Sequence, residues 1–112
     1  MTTKQIRGYH AHIYFEETTR SSEEEVRSKL IETFGDRIRV SRLVDEPIGP
    51  HPLPMFEVDF HPEEFASVVP WMMLHHKILS ILVHPITGSD LADHRDHPIW
   101  IGKQLPLDLS IL

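Results

Sequence analysis

The chain has 112 residues, no cysteine, and a formal net charge of −6 from 17 acids against 11 Lys and Arg. That length suits a single domain over residues 1–112 with a real core, and the missing thiols exclude disulfides, thiolate zinc sites and iron–sulfur clusters, so any metal must be held by nitrogen and oxygen. The acidic balance argues against a nucleic-acid partner, no apolar run reaches bilayer length, and the opening "MTTKQIRGY" lacks the apolar segment of a signal peptide, so a cytoplasmic protein without a membrane partner is expected.

"YHAHIYF", Tyr9 to Phe15, alternates and predicts the first strand, with Tyr9, Ala11, Ile13 and Phe15 on one face and His10, His12 and Tyr14 on the other. "TTRSSEEEVRSKLIETFGD" predicts a helix: Val26, Leu30, Ile31 and Phe34 share a stripe, Ser21 with Glu24 or Ser22 with Glu25 suits a capping box, and Gly35 suits the C-terminal stop. "DRIRVSRLVD" alternates as a second strand through Ile38, Val40 and Val44. The proline-punctuated "EPIGPHPLP" is a connection, and "MFEVDF" is a third strand with Phe56, Val58 and Phe60 on one face. "HPEEFASVVPWMMLHHK" predicts a second helix, with Pro62 at its start and Pro70 kinking or splitting it. "ILSILVHP" is a fourth strand, and the tail from Ile86 to Leu112 is expected to be irregular.

The order β-α-β-β-α-β is the ferredoxin-like pattern, an α+β fold with a four-stranded antiparallel sheet, both helices on one face, and here a C-terminal tail. The strand order 4-1-3-2, with strand one taken as parallel to strand three and antiparallel to strand four, brings "YHAH", "GPHP" and "LVHP" to one sheet edge. His10, His12, His51 and His84 then converge, and the tail carries His94 and His97 from the same end. The face without helices also holds Tyr14, Glu57, Ser80 and Leu82, and its apolar residues need cover, which a dimer partner or the tail could supply; a homodimer is expected. His10 and His12 lie about 6.6 Å apart along their strand, awkward for two ligands of one ion.

The nine histidines do not all invite the same reading. His61 precedes Pro62 as a helix-start residue, and His75 and His76 stand near a helix C-terminus, where cations are welcome. "DHRDH", taken alone, is a charged solvated turn. No Gly-rich phosphate loop, "HExxH" or "GxSxG" occurs. For the convergent set, solvation by chance is the weaker explanation, because it must collect separate histidines at one place.

"YHAHIYF", "PIGPHPLPMFEV", "VPW", "LVHPITG" and "DHRDHPIWIGKQLPLDLS" together resemble the DOPA 4,5-dioxygenase family of fungi and bacteria, in order from about Tyr9 to the C-terminus. The resemblance implies a dimeric ferredoxin-like fold and extradiol cleavage of a catechol, with both atoms of O₂ inserted beside the diol and non-haem Fe(II) as cofactor. Another divalent metal such as zinc is an expected substitute in purified protein. Carried onto this chain, the family's histidine motifs correspond to His10 and His12, His51, His84, and His94 and His97; of these, His12, His51 and His84, from three elements that meet, are the expected metal ligands, with Glu57 as a reserve carboxylate and His10, His97 and His94 as acid–base or substrate contacts. Tyr14, Glu57, Arg42 and, less directly, Arg95 are the candidates for holding substrate. The chain departs from the family after "HPITG", where Ser89 stands in place of an acid and Asp90 follows.

Two other classes remain open at this point. One is a non-catalytic ferredoxin-like module that binds a metal or an aromatic ligand. The other is a cofactorless monooxygenase or isomerase in which the histidines move protons alone.

Overall fold

Strand β1, Tyr9–Tyr14, is the middle of the sheet, and its alternation decides what each face holds. The computed structural model describes residues 6–112. Ala11, Ile13 and Phe15 are fully buried beneath two helices, α1 (Arg20–Phe34) and α2 (Phe65–His75), where Val26, Leu30, Phe34, Val68, Val69 and Met72 meet them. Phe56, Val58 and Phe60 from β3 (Met55–Phe60) and Ile81 and Val83 from β4 (Ser80–Pro85) complete this core.

The sheet has five strands rather than four, in the order β2-β3-β1-β4-β5. The first four follow the expected ferredoxin-like order; the fifth, β5 (Ile99–Ile101), comes from the tail and pairs antiparallel with β4. The tail also forms a short helix, α3 (Asp90–Arg95), so it is not irregular, and "DHRDH" straddles the end of a helix rather than a turn. Ser89 caps α3 by accepting from the Ala92 N–H.

Strand one is antiparallel to strand three, not parallel to it: Tyr9 faces Phe60, and Tyr14 faces Met55. The crossover through α1 makes β1 and β2 (Arg39–Val40) point the same way, and β3 fills the gap between them in the opposite sense. The start of β3 therefore lies at the far end of β1 from Tyr9. His51 still reaches the other histidines, because the loop before β3 turns back across the helix-free face. Leu53 packs there against Tyr14, Met55 and Leu82, and the Pro50 carbonyl accepts from the Asp108 N–H.

Other local expectations shift. α1 begins at Arg20, after a one-turn 3-10 segment at Glu17–Thr19 whose entry is closed by the Glu16 N–H donating to Thr19 Oγ1 at 2.8 Å, so neither expected Ser–Glu box caps it. Gly35 ends the helix with φ of 54°, a conformation open to glycine at no steric cost. β2 is only two residues long, and Val44 keeps a single bridge to Met55. α2 runs unbroken through Pro70 instead of splitting, leaving the Ala66 carbonyl without its usual donor.

The helix-free face is covered by the chain itself. Trp100, Leu105 and Leu107 of the tail pack with Leu53 over Tyr14, Met55 and Leu82. The apolar surface that called for a dimer partner is thus already shielded within one chain. No helix among the described residues is long and apolar enough to cross a membrane.

Candidate metal centre

Cross-strand register builds the site row by row. Directly opposed residues share a face, so Arg39, Asp59, His10 and His84 form one row across β2, β3, β1 and β4. Glu57, His12 and Leu82 form the next. His51 comes in from the loop above, and His94 from α3.

The imidazoles gather closely. The His12 ring centroid is 4.1 Å from that of His51, 5.1 Å from His84 and 6.2 Å from His94, while His84 and His94 are 4.1 Å apart. His12, His51, His84 and His94 are all buried. They line a cavity of about 230 Å³ with His10, Glu57 and Asp93.

Each of the four buried rings has its Nδ1 occupied by a neighbour. His84 Nδ1 lies 2.9 Å from the Pro85 carbonyl and His94 Nδ1 lies 2.7 Å from the Asp90 carbonyl. A carbonyl only accepts, so both Nδ1 atoms carry the hydrogen and both Nε2 atoms are lone pairs in the neutral ring. His51 Nδ1 is 2.7 Å from the Tyr14 hydroxyl, and His12 Nδ1 is 3.3 Å from the Met55 sulfur. Burial, reinforced by the neighbouring imidazoles, lowers the pKa of His12 well below its usual range and takes those of His51 and His84 down to about 4. For His84 the hydrogen bond to Pro85 partly opposes that shift. These three rings are therefore neutral at pH 7.

The consequence is sharpest between His12 and His84, whose Nε2 atoms are 3.1 Å apart. His84 Nε2 is a lone pair that accepts from His12 Nε2–H, and moving the His12 hydrogen to Nδ1, beside the Met55 sulfur, frees both Nε2 atoms for an ion. Two nitrogens each about 2.1 Å from one ion, at roughly 95° to each other, would lie about 3.1 Å apart. The donor set thus fits a divalent metal of the kind held by imidazole. Outer contacts from carbonyls, a hydroxyl and a sulfur fix ring orientation as metal sites require.

The placement of the expected site residues is uneven. His12 meets both His51 and His84, but the expected trio is not one of the groups whose donor atoms all lie within 4.8 Å of one another: those are His12, His51 and His94; His10, His12 and His84; and His10, Glu57 and Asp59. The second of these groups also corrects the objection to His10 and His12 sharing an ion, since side-chain reach closes the gap that backbone spacing leaves. His10 is half-exposed, with Nε2 3.4 Å from Asp59 Oδ1 and 3.8 Å from Glu57 Oε2. Glu57 is half-buried beside the cluster, and burial, with Asp59 next to it, raises its carboxyl to about 8. Tyr14 is buried, its hydroxyl turned to His51, and burial raises its pKa.

His97 and Arg42 do not join them. His97 is exposed and lines a separate cavity with Tyr9, Phe65 and Ile99, because α3 ends at Arg95 and the chain turns toward β5. Arg42 is exposed on the loop after β2, and Arg95 is paired with Asp96 at the surface. His61, His75 and His76 stay outside the cluster: His61 precedes a 3-10 turn, and His75 and His76 bond the carbonyls of Trp71 and Leu79.

Asp93 is a residue the sequence reading passed over. It is buried, and its carboxylate accepts from the Thr87 hydroxyl at 2.5 Å and from the Thr87 N–H at 3.0 Å. That pair pins α3 to the end of β4 and so aims His94. The signal was present in "HPITGSDLADH", an Asp one residue before a His, but it needed a helix to have meaning.

Comparison with known proteins places the chain in a family. The family model described as the Dopa 4,5-dioxygenase family matches residues 9–111. A DOPA 4,5-dioxygenase from Amanita muscaria is 35% identical over 115 aligned positions, and an uncharacterized 21.2 kDa protein from Botryotinia fuckeliana is 42% identical over 118. Each alignment takes in 96% of this chain, which spans only 50% and 64% of those two relatives' lengths, respectively. The crystal structure of a "putative dioxygenase" from Nostoc punctiforme superposes with a TM-score of 0.94 at 41% identity, over 99% of this chain and 95% of that one. The chain belongs to the Dopa 4,5-dioxygenase family.

Proposed function

We propose that the protein is a metal-dependent extradiol dioxygenase that opens the ring of DOPA or a related catechol with O₂. The observation that carries this reading is the approach of His12 Nε2 and His84 Nε2 to 3.1 Å inside a pocket of neutral histidines. Family membership and the name of the Amanita relative support the same chemistry.

His12 and His84 would hold the ion, with His94 and His51 completing the set. A bound ferrous ion would let electron density pass from the electron-rich ring to dioxygen. The chain's own groups do the rest. Burial of the imidazoles keeps water and protons from competing for Nε2. His10, half-exposed at the pocket edge, is placed to take a proton from a catechol hydroxyl, with Asp59 behind it to steady the charge. Catechol and O₂ together supply every atom and electron of the ring-opened semialdehyde, so no further reductant is needed. Fe(II) is the expected native metal, and zinc would occupy the same nitrogens without redox activity.

Anaerobically purified, iron-loaded protein mixed with aerated catechols should give a yellow ring-opened product. Iron-loaded protein that binds catechols but changes none of them would overturn the catalytic reading and leave a metal-binding module.

A further inference from the structure

The histidine pocket holds about 230 Å³, below the roughly 300–1,000 Å³ of pockets that take drug-sized ligands. Its lining is imidazole and carboxylate except for three aliphatic side chains, Pro50, Ile86 and Leu112. The nitrogens and oxygens suit an ion and the two oxygens of a diol. The ring that carries the diol is apolar, and the aliphatic cover it can gain comes from these three.

Two of the three are fixed by the frame around them. Pro50 is buried beside His51. Ile86 continues from β4, its N–H donating to the Gly8 carbonyl and its carbonyl accepting from the Arg7 N–H, each at 2.9 Å. Leu112 differs. It follows a one-turn 3-10 segment of the tail, Leu109–Ile111, and is 37% exposed. Side-chain and backbone bonds brace that turn. The Asp108 N–H donates to the Pro50 carbonyl at 2.9 Å, and Asp108 Oδ1 accepts from the Ser110 N–H at 3.2 Å and the Ser110 hydroxyl at 2.6 Å. The Leu112 N–H donates to the Leu109 carbonyl at 3.2 Å. The turn also lies against α3, which carries His94. The tail thus straps the His51 loop to the His94 helix and brings a half-open leucine to the pocket between them.

We infer that Leu112 is the specificity-determining wall of this pocket: its side chain packs on the aromatic ring of a bound catechol and limits the bulk of the ring substituent that fits. The inference rests on the catechol-cleavage reading and adds to it the residue that selects among catechols by size. Leucine surface left open beside polar walls is what a ring covers with gain, because apolar area leaves water on both partners. Ile111 makes the contrast. It is one residue away and 56% exposed, yet it does not line the pocket.

The test is anaerobic calorimetric titration of the iron-loaded protein with catechol, 4-methylcatechol and 4-tert-butylcatechol. Bound iron and the denaturation midpoint are measured for each variant. Leu112→Ala should keep its iron and bind catechol about tenfold more weakly, the scale of an aliphatic group lost from an apolar contact. It should also lose most of the preference for catechol over 4-tert-butylcatechol. Leu112→Trp should still bind catechol and raise that preference by about tenfold or more. Ile111→Ala should match wild type. A wild-type size ranking in both Leu112 variants would overturn the wall. So would iron lost in step with catechol, which would mean that Leu112 supports the metal ligands rather than the ring, or an equal loss in Ile111→Ala. Oxygen uptake is read separately. A size ranking that follows residue 112 without any uptake would sink the dioxygenase reading and keep the wall, whereas turnover with one size ranking in all variants would do the reverse.

Discussion

His12 and His84 face each other across strands β1 and β4 with their Nε2 atoms 3.1 Å apart, although 72 positions separate them in the chain. Each ring has turned its Nδ1 outward, to Met55 sulfur and to the Pro85 carbonyl. Replacing either with alanine removes one of the two proposed ligands. His12→Ala and His84→Ala are each expected to abolish tight iron binding, measured as metal per chain after desalting. Full occupancy in both variants would sink this ligand assignment.

His94 and His97 are three residues apart and should behave oppositely. His94 is buried against His84, whereas His97 is exposed in a different cavity. His94→Ala should weaken metal binding by at least about tenfold. His97→Ala should leave metal affinity and kcat/KM within about twofold. A large loss on changing His97 would mean that the tail is placed differently in the working enzyme.

Tyr14 acts through His51. When His51 offers Nε2 to a metal, its Nδ1–H donates to the Tyr14 oxygen at 2.7 Å. Tyr14→Phe keeps the ring, which stacks on Trp100 at 6.0 Å, and deletes only that acceptor. Loss of an outer partner of this kind costs about 10–100-fold in metal affinity. Unchanged affinity by competition with a chelator would exclude the role.

Thr87→Val removes the hydroxyl that binds Asp93 and should loosen α3. The buried carboxylate would lose one of its two donors, at a cost of about 1–3 kcal/mol. A lower denaturation midpoint accompanied by weaker metal binding is the expected pair of effects. A stability loss with unaltered metal affinity would show that the clamp does not position His94.

The metal-free protein should lose stability in mild acid. Burial holds His51 and His84 at about 4 in the folded state, below the ordinary histidine value of 6.5, and holds His12 low as well. Between those values the unfolded chain binds protons that the folded chain refuses, so stability falls as pH drops from about 6.5 towards 4. For His51 and His84 the loss is on the order of 2–3 kcal/mol each. Denaturant midpoints at pH 7, 5.5 and 4 measure it, and a flat profile over that range would contradict neutral burial of these rings.

How far the sequence carried the structure is clearest at three residues. His12 was legible because strand alternation assigns it a face with no further information, and β1 obeys that alternation without a bulge. His51 converges as expected, but for a different reason: the strand directions place the start of β3 at the wrong end, and the loop over the helix-free face makes up the distance. Loop paths depend on tertiary contacts such as Leu53 on Leu82 and Asp108 on Pro50, which no local pattern encodes. His94 and His97 looked equivalent because "DHRDH" shows no period in five residues. The cap at Ser89 and the Asp93–Thr87 clamp decide which of the two turns inward. The fifth strand was missed for a related reason: three residues, Ile99–Ile101, gain their stability from pairing with β4 rather than from any run of their own.

The most direct test is oxygen consumption by the iron-loaded protein with a single catechol, followed alongside loss of the ring. Equimolar O₂ and catechol should disappear, with iron-free protein and His12→Ala inactive. Equal rates with and without iron, or no oxygen uptake by protein shown to contain it, would contradict a metal-centred dioxygenase at this cluster.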